Sequence, residues 1–111
     1  MEDMQRRELA YVPREKLTGY LLSETHPVGS SKAEFYRRYG YNEDNVELLE
    51  WGLLEIARNE PVKDVVSSPY GVKFVIEGTL ATPTGSSARI VTVWIAESET
   101  DNPRFVTAYP A

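Results

Sequence analysis

The stretch Ala88-Arg89-Ile90-Val91-Thr92-Val93-Trp94-Ile95-Ala96 decides the fold class of this 111-residue chain. Most of its residues are β-branched or aromatic, which favours a strand over a helix. Alternate residues of a strand point to opposite faces of the sheet. Val91, Val93 and Ile95 therefore share one face, while Ile90, Thr92 and Trp94 share the other. We expect the all-aliphatic face to carry the core and the face with Thr92 and Trp94 to be open or only partly covered.

Three further strands flank this segment, over residues 62–67, 72–80 and 104–109. The turn sequences Ser68-Pro69-Tyr70-Gly71 and Thr82-Pro83-Thr84-Gly85-Ser86 separate the first three strands. Proline and glycine mark turns because each fixes or permits backbone angles that a strand excludes. Such short connections predict an antiparallel meander of four strands.

Helical periodicity dominates the first half of the chain. Pro13 is suited to the first turn of a helix that continues to about residue 22. A second helix over 31–39 begins with the capping-box spacing Ser31-x-x-Glu34, and Gly40 is a suitable stop. A third helix, capped by Asn42 or Asn45, runs to about residue 57. We expect residues 1–10 to be a flexible segment, and residues 11–111 to form one α+β domain with two to three N-terminal helices packed on the meander.

Composition narrows the functional classes. The chain has no cysteine and one histidine, so we expect no disulfide, no metal site and no cofactor. No apolar run approaches the roughly 20 residues that cross a bilayer, so we expect a cytoplasmic protein, or a domain delivered into another cell. The net charge of −5 argues against nucleic acid at first sight. However, residues 43–60 hold six acidic residues against Arg58, so the acidity belongs to one helix and the rest of the chain is neutral.

His26 is the first candidate for chemistry, because histidine changes its charge near neutral pH. It lies in a predicted loop, six residues before Lys32. The start of a helix offers free backbone N–H groups to an anion, and Ser30 and Ser31 would add hydroxyls. The structural alternatives are a loop histidine that hydrogen-bonds a neighbouring backbone group and a lysine that is solvated in the first turn of the helix.

Further candidates lie in the strands. Arg89 could bind a phosphoryl group with its fork of N–H donors, or could protect a sheet edge. Thr107 and Tyr109 could donate to phosphate oxygens and could share a polar, aromatic face with Thr92 and Trp94; alternatively they are ordinary strand residues. Trp94 could stack on a base or belong to the core.

Taken together, His26-Pro27-x-Gly29-x-x-Lys32-Ala33, the strand at 88–95 and the segment at 104–110 resemble a family of small bacterial domains of unassigned function. Such domains are found at the C-terminal tips of polymorphic and contact-dependent toxins. The layout also resembles the barnase–EndoU–colicin–RelE ribonuclease superfamily. That resemblance implies His26 as acid and base, Lys32 and Arg89 as phosphate stabilisers, and Thr107 and Tyr109 as cleft residues.

Two functions follow as expectations. The first is a toxin-like, metal-independent endoribonuclease that binds RNA and cleaves it through the 2′-hydroxyl. The second is a non-catalytic interaction module, such as the partner subunit of a toxin–antitoxin or immunity system, whose acidic helix meets a basic partner. An enzyme needs His26, a cation and the polar sheet face around one cleft, whereas a binding module leaves them scattered.

Overall fold

The computed structural model describes residues 4–27, 30–98 and 100–111. The helical elements are α1 (Arg14–Lys16), a π-helical segment (Leu17–Leu21), α2 (Ser30–Arg38) and α3 (Val46–Asn59), with 3₁₀ turns at Arg7–Leu9 and Glu43–Asn45. The strands are β1 (Asp64–Ser68), β2 (Gly71–Ala81), β3 (Ser87–Ala96) and β4 (Arg104–Pro110). The strand order β1-β2-β3-β4, with antiparallel neighbours throughout, confirms the α+β class and the four-stranded meander.

The core lies on the face of the sheet that carries Ile90, Thr92 and Trp94, so our assignment of the faces is wrong. All three side chains are 0 % exposed, and Ile90 and Trp94 join Ile76 and Phe105 in the main hydrophobic cluster. The Thr92 hydroxyl tolerates burial because it donates to the Ile76 carbonyl at 2.7 Å and accepts from Trp94 Nε1 at 2.8 Å. The face with Trp94 is the core face because burying the large indole removes more apolar surface from water than burying a valine does.

The register of β4 corrects a second expectation. Val93 pairs with Thr107, and Val91 pairs with Tyr109. Because paired residues point to the same face, Thr107 and Tyr109 lie with the valines and not with Thr92. We call this face, which points away from α3, the outer face of the sheet.

Local signals set the ends of the helices. Gly40, with φ of +96°, follows α2 in the left-handed conformation that glycine adopts without strain. Asn42 and Asn45 then form a reciprocal capping box, in which the Asn42 side chain accepts from the Asp44 N–H at 2.8 Å. The predicted stop and cap are therefore confirmed, whereas α2 begins at Ser30, one residue before the expected start.

Helix α3 packs closely on β2 at two glycines. A Cβ at Gly78 would lie 2.7 Å from Ile56 Cγ1, and a Cβ at Gly52 would lie 2.7 Å from Leu80 Cδ2. A side chain at Gly78 would press on three carbon atoms of Ile56, whereas one at Gly52 would meet only the end of the Leu80 side chain. This contact fixes α3 on the core face, so its acidic residues point away from the sheet.

Residues 4–10 pack against the domain, and the flexibility that we expected over residues 1–10 stays a prediction. Met4 is 1 % exposed, and the Arg7 guanidinium donates to the carbonyls of Ala57 (2.8 Å) and Glu60. Tyr11 then pairs in parallel with Arg104 at the start of β4. These bonds tie the segment to α3 and to the sheet; residues 1–3 lie outside the described residues. None of the helices in the described part of the chain combines the length and apolar character that a bilayer crossing needs.

Candidate functional site

Tyr20 connects three candidate residues that come from different parts of the chain. Its hydroxyl oxygen lies 3.0 Å from Thr107 Oγ1 on β4. The His26 imidazole packs edge-on against the Tyr20 ring, with centroids 5.1 Å apart and an interplanar angle of 81°. The Nζ atom of Lys32 lies 5.7 Å from the centre of the same ring. His26, Lys32 and Thr107 therefore meet around one tyrosine.

Lys16, at the end of α1, also reaches this ring, with its Nζ atom 5.2 Å from the centroid. An ammonium over the face of a tyrosine gains about 0.5–1 kcal/mol at an exposed position. Among the described residues, no carboxylate lies within 4.0 Å of the Nζ atom of Lys16 or Lys32. We call Lys16, Tyr20, His26, Lys32 and Thr107 the Tyr20 cluster. It combines two positive charges, an imidazole and two hydroxyls.

The π-helical segment gives Tyr20 its direction. The Leu22 N–H donates to the Leu17 carbonyl at 2.8 Å, a bond that spans five residues instead of four. The wider turn brings Leu17, Leu21 and Leu22 to the core, where all three are 0 % exposed. Tyr20 is thereby turned away from the leucines, and its hydroxyl reaches β4.

Backbone hydrogen bonds fix His26 beside α2. Its N–H donates to Ser23 Oγ at 3.2 Å, and its carbonyl accepts from the N–H of Ser30, the first residue of α2, at 3.0 Å. The side chain of His26 is half-buried. Val28 and Gly29, which complete the predicted His-Pro-x-Gly motif, lie outside the described residues.

Two side chains of α2 hold the helix that carries Lys32. The Tyr36 hydroxyl donates to the Ala108 carbonyl of β4 at 2.8 Å, and burial raises the pKa of Tyr36, which keeps it a neutral donor. The Arg37 guanidinium donates to the Leu22 carbonyl at 2.6 and 3.1 Å and pairs with Glu43. A hydrogen bond from Arg37 lowers the pKa of Glu43. Helix α2 is thus bonded both to β4 and to the end of the π-helical segment.

Thr107 and Tyr109 extend the site along the outer face. They alternate with inward residues on β4, so their Cα atoms are about 7 Å apart. Thr107 is half-buried beneath the contact with Tyr20, whereas Tyr109 is 41 % exposed. Thr107 and Tyr109 lie on one face of the sheet, as we predicted. Their neighbours on β3 are Val93 and Val91, and not Thr92 and Trp94.

Arg89 lies on the outer face but bonds to β2. Its Nε donates to Glu77 Oε2 at 2.8 Å and its Nη1 to Thr79 Oγ1 at 3.0 Å. Lys63 Nζ binds the other Glu77 oxygen at 3.0 Å. Hydrogen bonds from Arg89 and then Lys63 hold the pKa of Glu77 below its ordinary value of 4.5. The guanidinium is therefore engaged by β2, outside the Tyr20 cluster.

The remaining sequence candidates divide between the surface and the core. Ser30 is half-buried and lines a surface cleft with Arg37 and Arg38, and Ser31 is exposed. Thr92 and Trp94 are fully buried beneath the helices, so in this conformation neither can contact a substrate, and their assignment to substrate binding is corrected. No group of three or more metal-binding side chains was found within the residues that the structure describes.

Sequence reasoning missed Tyr20 and Lys16. A regular helix would place Tyr20 in the apolar stripe with Leu17 and Leu21, and a single charged residue in a short helix is usually solvated. The available signal was the pair of adjacent leucines, Leu21 and Leu22, because an α-helix turns two such neighbours in different directions. Leu17, Leu21 and Leu22 can all face the core only in the wider π-helical turn, and this turn moves Tyr20 out of the apolar stripe.

A comparison with protein families identifies the family of this sequence. The family described as a domain of unknown function, DUF6883, matches residues 3–111. The chain belongs to the DUF6883 family. No curated protein matches it in sequence. The resemblance to small domains of unassigned function is thus confirmed at the level of the family.

The fold of this DUF6883 domain is similar to that of a solved structure. That structure is a contact-dependent growth inhibition toxin–immunity protein complex from Klebsiella pneumoniae 342. The TM-score is 0.74 at 16 % sequence identity, and the match covers 96 % of this chain and 97 % of the other. The description of that complex names both a toxin and an immunity protein, and at this identity the similarity shows a shared fold.

Proposed function

We propose that this DUF6883 domain is a toxin-like, metal-independent endoribonuclease that acts at the Tyr20 cluster. The observation that carries the proposal is the convergence of His26, Lys32 and Thr107 on Tyr20. An enzyme needs a proton-transfer group, a cation and hydroxyl donors within reach of one phosphate, and these three residue types meet there. The fold similarity to a toxin–immunity complex supports the toxin context.

In the proposed reaction, the 2′-oxygen of a ribose forms a bond to the adjacent phosphorus, and the bond from phosphorus to the 5′-oxygen breaks. His26 takes the proton of the 2′-hydroxyl and then gives that proton to the leaving 5′-oxygen. The products are a 2′,3′-cyclic phosphate and a 5′-hydroxyl, so neither water nor a metal is consumed. A positioned acid and base of this kind contributes roughly 10²–10⁴-fold in rate.

The other residues stabilise charge. Lys32 would bind the phosphoryl oxygens, which gain negative charge in the transition state. Thr107 and Tyr109, on one face of β4, would donate to the phosphate or to the leaving oxygen. Arg89 bonds to Glu77 and Thr79, so in this proposal it binds a neighbouring phosphate along the outer face after exchanging one of those bonds. The domain would act in the cytoplasm, where its RNA is found, either in the cell that makes it or after delivery.

The test is cleavage of tRNA and total RNA by the purified domain in the presence of EDTA. We expect fragments that end in 2′,3′-cyclic phosphate, and a loss of roughly 10²-fold or more in rate for His26→Ala. Circular dichroism of His26→Ala controls for folding. Intact RNA with the wild type, or equal cleavage by His26→Ala, would remove the enzyme proposal.

A second candidate function is a non-catalytic partner subunit, such as an immunity or antitoxin protein. The observation in its favour is the outward face of α3, where Trp51 is 63 % exposed and Leu48 is 49 % exposed among acidic residues. An exposed tryptophan surrounded by carboxylates fits a protein partner with a basic surface. Co-purification with the product of a neighbouring gene, lost in Trp51→Ala and retained in His26→Ala, would favour this function. Tyr70→Ala, at an 82 % exposed turn residue, is the matched control.

A further inference from the structure

Two lysines from separate helices converge on the Tyr20 ring. Lys16 belongs to α1 and Lys32 to α2, and their Nζ atoms lie 5.2 and 5.7 Å from the ring centre. We propose that Lys16 and Lys32, with the hydroxyls of Tyr20 and Thr107, form a phosphate-binding site beside His26. The ligand class is a phosphate ester oxyanion. This inference rests on the proposed function and adds Lys16 and Tyr20 to its machinery.

The charges of the two lysines argue for an anion. Both ammonium groups lie against one ring, like charges repel, and in the described residues no carboxylate lies within 4.0 Å of either ammonium. The negative face of the Tyr20 ring offsets part of that repulsion, but it supplies no net charge. A phosphate would supply the missing charge and would accept a charge-assisted hydrogen bond from each lysine.

The cations on the outer face behave differently. Arg89 and Lys63 both bind the Glu77 carboxylate, at 2.8 and 3.0 Å. An anion that binds there competes with a carboxylate already in place. Lys16 and Lys32 have no such competitor among the described residues, which makes the Tyr20 cluster the better first site for a phosphate.

The two hydroxyls supply a further donor. Tyr20 and Thr107 each carry one hydroxyl proton and share one hydrogen bond of 3.0 Å. Because that bond uses one of the two protons, the other is available to a third acceptor. A phosphate oxygen between the lysines and this hydroxyl pair would take it.

The presence of a single histidine makes the site directly measurable. His26 gives the only imidazole proton signals of the chain, and its ring contacts Tyr20. Inorganic phosphate is added to the full-length protein at fixed pH and fixed ionic strength, with chloride as the balancing anion. We expect the His26 signals to shift and saturate. Lys16→Gln and Lys32→Gln each weaken apparent phosphate binding by roughly tenfold, since each removes one charge-assisted bond.

Arg58→Gln is the matched control, because it removes one positive charge from the exposed last turn of α3. It should leave phosphate binding unchanged. A second variant, Lys16→Arg, keeps the charge and should retain binding, which separates charge from folding. The inference is overturned if phosphate leaves the His26 signals of the wild type in place, or if Lys16→Gln and Arg58→Gln weaken binding equally.

This titration and the cleavage assay fail independently. Saturable phosphate binding with no RNA cleavage would retain the anion site and remove the ribonuclease. Cleavage of RNA by a wild type that shows no phosphate-dependent change at His26 would retain the enzyme and overturn this inference. The inference is also overturned, and the enzyme retained, if Lys16→Gln cleaves RNA and binds phosphate as the wild type does.

Discussion

The indole N–H of Trp94 donates a 2.8 Å hydrogen bond to the hydroxyl of Thr92, two residues earlier on the same strand and inside the core. The Thr92 hydroxyl in turn donates to the Ile76 carbonyl of β2 at 2.7 Å. One hydroxyl thus satisfies a buried donor and a buried acceptor. This relay allows the polar side of β3 to face the helices.

Thr92→Val should destabilise the domain by about 1–3 kcal/mol, because it keeps the shape but leaves the Trp94 N–H without its partner in the core. Urea unfolding followed by circular dichroism measures the change. Thr79→Val is the control, since Thr79 is exposed on β2 and water can replace the bond that its hydroxyl accepts from Arg89, so stability should change by no more than about 0.5 kcal/mol. Equal losses in the two variants would contradict the relay.

Gly78→Ala should destabilise by about 1–3 kcal/mol through overpacking. The new Cβ would lie 2.7 to 3.1 Å from three carbon atoms of the Ile56 side chain on α3. Gly19→Ala is the matched control, because the nearest atom to its Cβ is 4.0 Å away. Thermal unfolding compares the two, and a Gly78→Ala variant as stable as the wild type would show that α3 can move off β2 freely.

Tyr20→Phe and Thr107→Val should show coupled losses of stability. The two hydroxyls share one hydrogen bond, so each single variant should lose most of the stability that the double variant loses. The interaction energy should be about 0.5–1.5 kcal/mol. A double-mutant cycle in urea measures it. The phenylalanine keeps the ring on which His26 and the lysines pack, so the His26 imidazole signals should keep their ring-current shift. Additive losses would mean that the hydroxyls do not interact.

Much of the fold could be predicted from the sequence because it depends on local signals. The strands, the stop at Gly40 and the cap at Asn42 follow from backbone preferences that each segment carries by itself. The faces of β3 could not be predicted, because alternation gives two sets of residues without saying which set the helices cover. The hydroxyl of Thr92 made its face of β3 look like the solvent-exposed one. In the structure that hydroxyl is buried with two hydrogen-bond partners, the Ile76 carbonyl and Trp94 Nε1.

The candidate site was predictable only in part, because the sequence gives the type of each residue but not the contacts between residues far apart in the chain. His26, Lys32 and Thr107 were recognised by residue type, and their meeting depends on Tyr20, which only a π-helical turn brings to β4. Arg89 was recognised equally well, but the sequence could not reveal that Glu77 would bind it. Contacts between residues so far apart in the chain depend on strand register, which hydrophobic alternation leaves open by any even number of residues.

Glu77 should give part of the stability an acid dependence. Hydrogen bonds from Arg89 and Lys63 hold its pKa below the ordinary value of 4.5. A carboxylate with a depressed pKa stabilises the fold fully above its unfolded-state pKa, and the contribution is lost as the pH falls through the folded-state pKa. The advantage of the wild type over Glu77→Gln should therefore be constant above about pH 5 and should shrink as the pH falls below 4.5. Urea midpoints of both proteins across that range measure it.

The control replaces the partners of Glu77 and leaves the carboxylate in place. In the double variant Lys63→Gln and Arg89→Gln, nothing in the described residues donates a charged hydrogen bond to Glu77. Adding Glu77→Gln to that background should produce little pH-dependent change. Parallel stability curves for the wild type and Glu77→Gln would contradict the prediction, because they would mean that protonating Glu77 costs the fold nothing. The same outcome would mean that an anion on the outer face could displace the Glu77 carboxylate from Arg89 at little cost to the fold.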